Sequence, residues 1–172
     1  DTVRVDYWKE RLNSVGKGPF IGIAWSSPLI TARRQLNYTQ ISEWAPIFSI
    51  PNVTFINLQS KDFEKDLCKI REEFNISVYN FYDLDHYDNL DEVAALSAAL
   101  DMCISVSTAV STITAGVGCK TKLLHWKQSA WNNVLFTPAG PSVKVFERDT
   151  QETWSKSLNE IAHEIQSELK IL

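Results

Sequence analysis

The chain lacks a long apolar segment and any paired cysteine motif, and each absence excludes a class of protein. No apolar run approaches the ~20 residues that a membrane-spanning helix needs. The three cysteines, Cys68, Cys103 and Cys119, form no C-x-x-C pair and leave an odd count. Cys103 lies within an apolar stretch and Cys119 just after a predicted helix, so we expect buried free thiols in a protein of the reducing cytoplasm.

The chain also lacks an excess of positive charge and the common phosphate-loop motifs. Its net charge is −4 with a pI near 5.4, so no basic field indicates a nucleic-acid partner. Neither G-x-G-x-x-G nor G-x-x-x-x-G-K-[ST] occurs. His86, His125 and His163 do not have the spacing of metal ligands. The sequence also shows no Ser/His/Asp or Cys/His pattern typical of a catalytic site. The sequence therefore predicts no metal and names no general base.

A regular alternation of helix and strand patterns is present instead. Predicted strands cover 20–25, 53–58, 76–81, 102–106, 121–124 and 143–146. The first predicted helix carries an apolar stripe of Val3, Tyr7, Trp8 and Leu12. The other predicted helices cover 40–49, 61–74, 89–100, 108–117 and 151–171. This order predicts a single α/β domain, a Rossmann-like doubly wound and mainly parallel sheet with helices on both faces. The loops after the strands would then gather at the carboxyl edge, where such sheets bind ligands.

The segment 100–118 is the most informative of these units, because it combines an apolar strand with a turn of small residues and a helix. The backbone N–H groups of Thr108, Ala109 and Val110, with the hydroxyls of Ser107 and Thr108, would suit a diphosphate at the helix N-terminus. The alternative is that Ser107 is simply the N-cap and that small residues let the helix pack closely on the sheet. The segment alone does not decide between the two.

Two further loops at the same predicted edge carry charged side chains. Arg33 and Arg34 follow the first strand, and a guanidinium fork binds two phosphate oxygens at once, although solvated surface arginines are the alternative. Ser26 and Ser27 of the same loop would add hydroxyl contacts. Asp83 and Asp85 form an Asp-x-Asp of the kind that binds a divalent ion in some nucleotide-sugar enzymes, but they immediately precede the Asn89 cap, where carboxylates complement a helix N-terminus.

Several segments together resemble the C-terminal, donor-binding half of a GT-B glycosyltransferase. The relatives are bacterial heptosyltransferase-like proteins and the glycosyltransferase domains found behind tetratricopeptide repeats. The segments that carry the resemblance are 5–12, 21–26, 34–36, 44–47, 55–59, 83–84, 94–96 and 98–101, which lead into the strand–turn–helix unit. The resemblance covers nearly all of residues 1–172, which implies one donor-binding domain. The N-terminal acceptor domain has no counterpart in this chain, and tetratricopeptide repeats are a candidate neighbour.

The resemblance implies a site for a nucleotide-diphospho sugar, used as the donor substrate without a cofactor or metal. Ser107, Thr108, Ala109, Val110 and Arg34 would hold the donor diphosphate. The residues expected near the nucleotide or sugar are Trp25, Ser26, Gln59 and Leu84. The signature of these proteins at the turn is Asp-Thr-x-x-x-His, and here Ser107 replaces the acid and Thr112 the imidazole.

The resemblance therefore implies a transferase whose isolated domain is inactive, because the acceptor site and the acidic base belong to the other half. Two alternatives remain open at this point. One is a catalytically degenerate nucleotide-binding or interaction module of the same fold, and the other is a nucleotide-sugar epimerase of GT-B shape. The chain begins at Asp1 rather than Met, so we expect it to be part of a longer protein. Peripheral membrane association would come only through that full-length protein.

Overall fold

The computed structural model describes residues 1–127 and 140–169, and its centre is a six-stranded parallel sheet. The strands lie in the order β3-β2-β1-β4-β5-β6, and every neighbouring pair is parallel. Their bounds are Phe20–Ala24 (β1), Thr54–Asn57 (β2), Val78–Tyr79 (β3), Met102–Val106 (β4), Thr121–Trp126 (β5) and Val143–Arg148 (β6). The predicted doubly wound α/β fold is confirmed.

Helices connect the strands and cover both faces of the sheet. Their bounds are Thr2–Val15 (α1), Ala32–Gln35 (α2), Ala45–Phe48 (α3), Glu64–Phe74 (α4), Leu90–Ala99 (α5), Ala109–Gly116 (α6) and Ser155–Leu169 (α7), with a 3₁₀ turn over Ile41–Trp44. Local sequence sets several of these ends. The Asp1 carboxylate accepts from the Val3 N–H at 3.0 Å, and Asn89 caps α5 by accepting from the Glu92 N–H at 3.4 Å. Asn75 ends α4 in the left-handed conformation (φ 53°).

Two apolar clusters fill the space between the sheet and its helices. One lies under α3, α4 and α7 and includes Trp44, Phe48, Leu158, Ile161 and Ile165. The other lies under α1 and α5 and includes Trp8, Leu12, Phe81, Leu96 and Leu100. Because helices cover both faces, β1 and β4 are buried along their whole length and read as continuous apolar runs. Cys103 and Cys119 are buried free thiols, as predicted, whereas the free thiol of Cys68 is exposed.

Three local details differ from what the sequence patterns indicated. The apolar stripe of α1 included Val3 and Tyr7, but these residues are 77% and 51% exposed, because only the Trp8–Leu12 side of the helix faces α5. The N-cap of α6 is Thr108 rather than Ser107, since Thr108 keeps an extended backbone (φ −142°, ψ −177°) and helical geometry begins at Ala109. The last helix begins at Ser155 rather than 151, because a turn closed by the Glu152 N–H and the Asp149 carbonyl precedes it. Its predicted end at 171 lies outside the described residues.

The strand order reverses between β1 and β4, and this places the loops that follow these two strands side by side. Chain order runs outward from β1 through β2 to β3 on one side and from β4 through β5 to β6 on the other. Open α/β sheets bind ligands in the crevice at this reversal, outside the carboxyl ends of the strands. Among residues 1–127 and 140–169, no helix combines the length and the apolar character that a membrane crossing requires.

Replacement of Leu158 tests the larger cluster. Leu158 has no exposed surface, so Leu158→Ala leaves a cavity between α7 and the sheet and should lower the free energy of unfolding by about 2–5 kcal/mol. Leu90 is 50% exposed at the start of α5, and Leu90→Ala should stay within about 0.5 kcal/mol of the wild type. Urea denaturation of both variants measures the difference, and equal losses would contradict this packing.

Candidate functional site

The crevice at the carboxyl edge is bordered by the turn that joins β4 to α6. Ser107 and Thr108 form this turn, and α6 begins at Ala109. The Ser111 hydroxyl accepts from the Thr108 N–H at 3.2 Å and donates to the Thr108 carbonyl at 2.8 Å. One of the predicted phosphate donors is therefore already occupied. The N–H groups of Ala109 and Val110 belong to the first turn of α6, where a helix supplies no acceptor of its own.

Thr108 adds a hydroxyl to these backbone donors. Its Oγ1 is buried and has no hydrogen-bond partner within residues 1–127 and 140–169. A buried hydroxyl without a partner is unfavourable unless a ligand or water completes it. Within the described residues, the turn therefore combines backbone donors that the helix leaves without an acceptor, the positive end of a helix dipole and the Thr108 hydroxyl, which faces the Ser111 N–H in a capping box without a close bond to it. Together these groups suit an anion.

The segment between β1 and the 3₁₀ turn carries the predicted arginine. Arg34 lies on the exposed four-residue helix α2, which is capped by Thr31 through a bond from the Arg34 N–H to the Thr31 hydroxyl oxygen at 3.3 Å. Within the described part of the chain, no carboxylate pairs with the Arg34 guanidinium. Arg34 is thus a free cation at the carboxyl edge, and its charge suits a phosphate.

Three hydrogen bonds fasten the same segment to the end of β5, to the end of β6 and to Trp154, which lies just before α7. The Trp126 N–H donates to the Asn37 side-chain oxygen at 2.8 Å, and the Arg148 guanidinium donates to the Leu36 carbonyl at 2.7 Å. The Trp154 indole donates to the Tyr38 carbonyl at 3.0 Å, and its ring lies 4.5 Å from the Arg148 guanidinium carbon. Burial lowers the pKa of Arg148, although nearby Glu43 and Glu152 oppose this shift.

Three of the predicted nucleotide-vicinity residues lie together at the ends of β1 and β2. Gln59 donates to the Ser26 hydroxyl at 2.6 Å, and its side-chain oxygen accepts from the Ser26 N–H at 3.2 Å. The Trp25 indole donates to Asp66 at 2.6 Å and is only 2% exposed. Trp25 and Ser26 border a polar cavity of about 470 Å³. Because Trp25 is buried, its ring supports this cavity from within and offers no open face for stacking.

The structure separates Leu84 from that group. Its side chain packs in the apolar cluster of Trp8 and Phe81, beside a groove of about 520 Å³ along α1. The neighbouring carboxylates are engaged with protein groups. Asp83 accepts two hydrogen bonds from Arg11 at 2.7 and 2.8 Å, which lowers the pKa of Asp83. Asp85 accepts from the Tyr87 and Asp88 N–H groups, which lowers its pKa as well.

No metal-binding cluster accompanies these carboxylates. In the described ranges, no group of three His, Cys, Asp or Glu side chains is arranged to hold a metal ion. The bonds made by Asp83 and Asp85 give both residues a structural role in the β3–α5 loop.

The contacts of Asn37, Arg148 and Trp154 were not predicted from the sequence. These residues meet across 89 to 116 positions of chain, and local patterns carry no information on such pairings. The richness in tryptophan, with six in 172 residues, was the only available signal, since a buried indole requires an acceptor for its N–H.

Comparison with known proteins defines the class of fold. No protein-family model matches the chain. The chain is 31% identical over 164 residues to Protein FlbA of Caulobacter vibrioides, a match that covers 94% of this chain and 27% of the relative. It resembles the E. coli ADP-heptose lps heptosyltransferase II structure (TM-score 0.66, 16% identity) over 99% of this chain and 51% of that one. It also resembles E. coli heptosyltransferase WaaC with ADP (0.65, 14%), over 92% and 48%, respectively.

A third structure agrees with these two. The glycosyl transferase family 9 protein from Veillonella parvula matches with a TM-score of 0.64 and 13% identity, over 93% of this chain and 44% of that chain. With the strand order, these likenesses define a Rossmann-like α/β fold that matches one half of the GT-B glycosyltransferase structures. The resemblance to heptosyltransferase-like proteins is thereby confirmed for the fold. The chain spans 44–51% of these structures and 27% of the curated relative, so it corresponds to a part of each.

His86, in the loop after β3, should make stability depend on pH. It is 8% exposed, and neither ring nitrogen has a partner within the described residues. Burial lowers its pKa from 6.5 to about 4, with Asp85 opposing the shift. The unfolded chain therefore takes up a proton first as pH falls below 6.5. The free energy of unfolding of the wild type should fall by about 2 kcal/mol between pH 7 and pH 5, whereas that of His86→Gln should fall much less. Urea denaturation at both pH values measures this difference. Equal losses of unfolding free energy in the wild type and in His86→Gln would contradict the burial of a neutral imidazole.

Proposed function

We propose that this chain is the donor-binding half of a metal-independent glycosyltransferase that uses a nucleotide-diphospho sugar. The observation that carries the proposal is the position of the Ser107–Val110 turn at the reversal of the strand order. Two solved heptosyltransferases support it, since one is named for ADP-heptose and the other was solved with ADP. The donor diphosphate would lie at the N-terminus of α6.

The chemistry of such a transfer requires that the negative charge on the leaving diphosphate be stabilised as the sugar departs. The N–H groups of Ala109 and Val110, the Thr108 hydroxyl and the Arg34 guanidinium would share this charge. Donors that are already oriented stabilise a developing charge without reorganisation. The nucleotide or sugar would lie further along the carboxyl edge, near Trp25, Ser26 and Gln59. Ser26 borders the cavity next to β1.

The acceptor and the general base would come from a second domain. The matched glycosyltransferase structures are about twice as long as this chain, which supports a cleft formed between two halves. We expect residues 1–172 alone to bind donor without turning it over. The three free cysteines suit a reducing compartment, and we propose the cytoplasm as the location.

A binding module without catalysis is the second candidate. Ser107 and Thr112 carry neither the acid nor the imidazole of the resembling proteins, and the Thr112 hydroxyl instead donates weakly to the Thr108 carbonyl at 3.5 Å. The backbone donors of α6 do not depend on these side chains. The module would therefore keep the diphosphate site and lose only the chemistry.

Nucleotide binding by residues 1–172 tests the shared part of both candidates. Thermal shift with ADP, UDP, GDP and their sugars should identify at least one ligand that raises the melting temperature. A ligand at 100 times its Kd should stabilise the fold by about 2.7 kcal/mol if it binds only the folded state. AMP serves as the control, because it lacks the diphosphate. A chain that none of these nucleotides stabilises would contradict the proposal.

Arg34→Ala separates a specific contact from general electrostatic attraction. Loss of the guanidinium should weaken binding of the nucleoside diphosphate roughly tenfold, or about 1.4 kcal/mol. Arg71→Ala is the matched control, because Arg71 is also an exposed arginine, near the end of α4 and at the amino edge of the sheet. Titration calorimetry measures both. If the two variants bind alike, Arg34 has no place in the site.

A further inference from the structure

We infer that Asn37 and Arg148 are positioning residues that hold α2, and with it Arg34, at the diphosphate turn. This inference rests on the proposed function, because it assigns the means by which the proposed site is kept in shape. We do not assign a direct contact with the diphosphate to either side chain. Both act through bonds to the backbone of the segment that bears Arg34.

The path of the chain brings this segment across the end of β4. The segment leaves β1 at Trp25, and the Thr39 N–H returns to the Trp25 carbonyl at 3.1 Å. Just before this return, Asn37 is bonded to Trp126 at the end of β5. β4 lies between β1 and β5 in the sheet, and two strand spacings amount to about 10 Å. Residues 37–39 therefore bridge the strand that ends at the Ser107 turn.

Asn37 connects Arg34 to the sheet through two consecutive hydrogen bonds. Its own N–H donates to the Arg34 carbonyl at 3.0 Å, and its side-chain oxygen accepts from the Trp126 N–H at 2.8 Å. The side chain is buried, at 8% exposure. Any displacement of α2 away from β5 must break one of these bonds.

Both terminal nitrogens of the Arg148 guanidinium donate to backbone acceptors, whereas its Nε is buried without a partner among the described residues. It donates to the Leu36 carbonyl at 2.7 Å, to the Asp149 carbonyl at 3.2 Å and to the Glu152 carbonyl at 3.0 Å, and its fourth neighbour is the Trp154 ring. Its planar fork thus joins α2 to the turn before α7. Because both of its terminal nitrogens already donate to carbonyl groups, we assign Arg148 a role in positioning α2 rather than in binding the phosphate itself.

These anchors matter because α2 cannot hold its position by itself. It has four residues, none of them buried, and a helix of one turn is not stable by itself in water. The Trp154 indole adds one further bond to the segment, at the Tyr38 carbonyl. Beyond Asn37 and Arg148, the Tyr38 hydroxyl donates to the Leu29 carbonyl at 2.7 Å and closes the segment upon itself. A cation that is already held near its anion loses less conformational entropy on binding, so the anchors should raise affinity.

A double-mutant cycle on residues 1–172 tests the inference. The probe is the tightest binder among ADP, UDP and GDP, measured by calorimetry with Asn37→Ala, Arg34→Ala and the double variant. Asn37→Ala should weaken binding three- to tenfold in the wild-type background and less than 1.5-fold in the Arg34→Ala background, because its effect passes through Arg34. Arg148→Lys, which keeps the charge but loses the fork, should behave like Asn37→Ala.

The controls separate positioning from general damage to the fold. Thr54→Val removes a side-chain bond to the Lys17 carbonyl at the opposite edge of the sheet and should leave affinity unchanged. The rate of trypsin cleavage after Arg33 and Arg34 is measured in the absence of nucleotide. It should be faster in Asn37→Ala than in the wild type, and unchanged in Thr54→Val. The inference would be overturned if Asn37→Ala left the affinity unchanged, or if it weakened binding equally in the wild-type and Arg34→Ala backgrounds. Either result would leave the proposed function standing. A wild type that binds no diphosphate would overturn the proposed function and this inference together.

Discussion

The parallel pairing of β1 with β4 is the constraint on which the rest of the molecule depends. It reverses the strand order and so opens the crevice between the two loops that carry the candidate site. The pairing requires close packing at the middle of β1, where Gly22 lies opposite Cys103. A Cβ on Gly22 would lie 2.6 Å from side-chain atoms of both Leu58 and Leu100. The absent side chain lets these two leucines close the core under α1 and α5, directly below the crevice.

Several polar side chains at the carboxyl edge are already bonded to other protein groups. Asn57 donates to Asn80 at 2.9 Å, Gln59 pairs with Ser26, and Arg148 is held by carbonyl groups. This network satisfies groups that would otherwise be buried without partners, and it fixes the loops relative to the strands. Within residues 1–127 and 140–169, it leaves a small set of groups at the turn and on α2 for a ligand. This set includes the first N–H groups of α6, the Thr108 hydroxyl and Arg34, and all of these suit an anion.

The layers of the fold could be predicted from sequence because each element carries its own periodic pattern. The apolar runs of β1 and β4 and the cap at Asn89 are local signals, and the structure agrees with them. Differences arose where tertiary contacts decide. Whether Val3 and Tyr7 are buried depends on which side of α1 meets α5, and the start of α7 depends on the turn at Asp149. The anchoring of α2 joins residues about a hundred positions apart, which no local pattern reveals.

A site made mainly from backbone donors responds to sequence change differently from one made of side chains. Replacing an acid by Ser107 or an imidazole by Thr112 leaves the N–H groups of α6 and its dipole in place. Such changes would bear on proton transfer and on sugar contacts, whereas affinity for a diphosphate would depend on the strand–turn–helix geometry and on the Arg34 guanidinium. The fold therefore constrains binding more tightly than it constrains chemistry. For this reason the position of α2, rather than the identity of residue 107, is where the strength of diphosphate binding would be set.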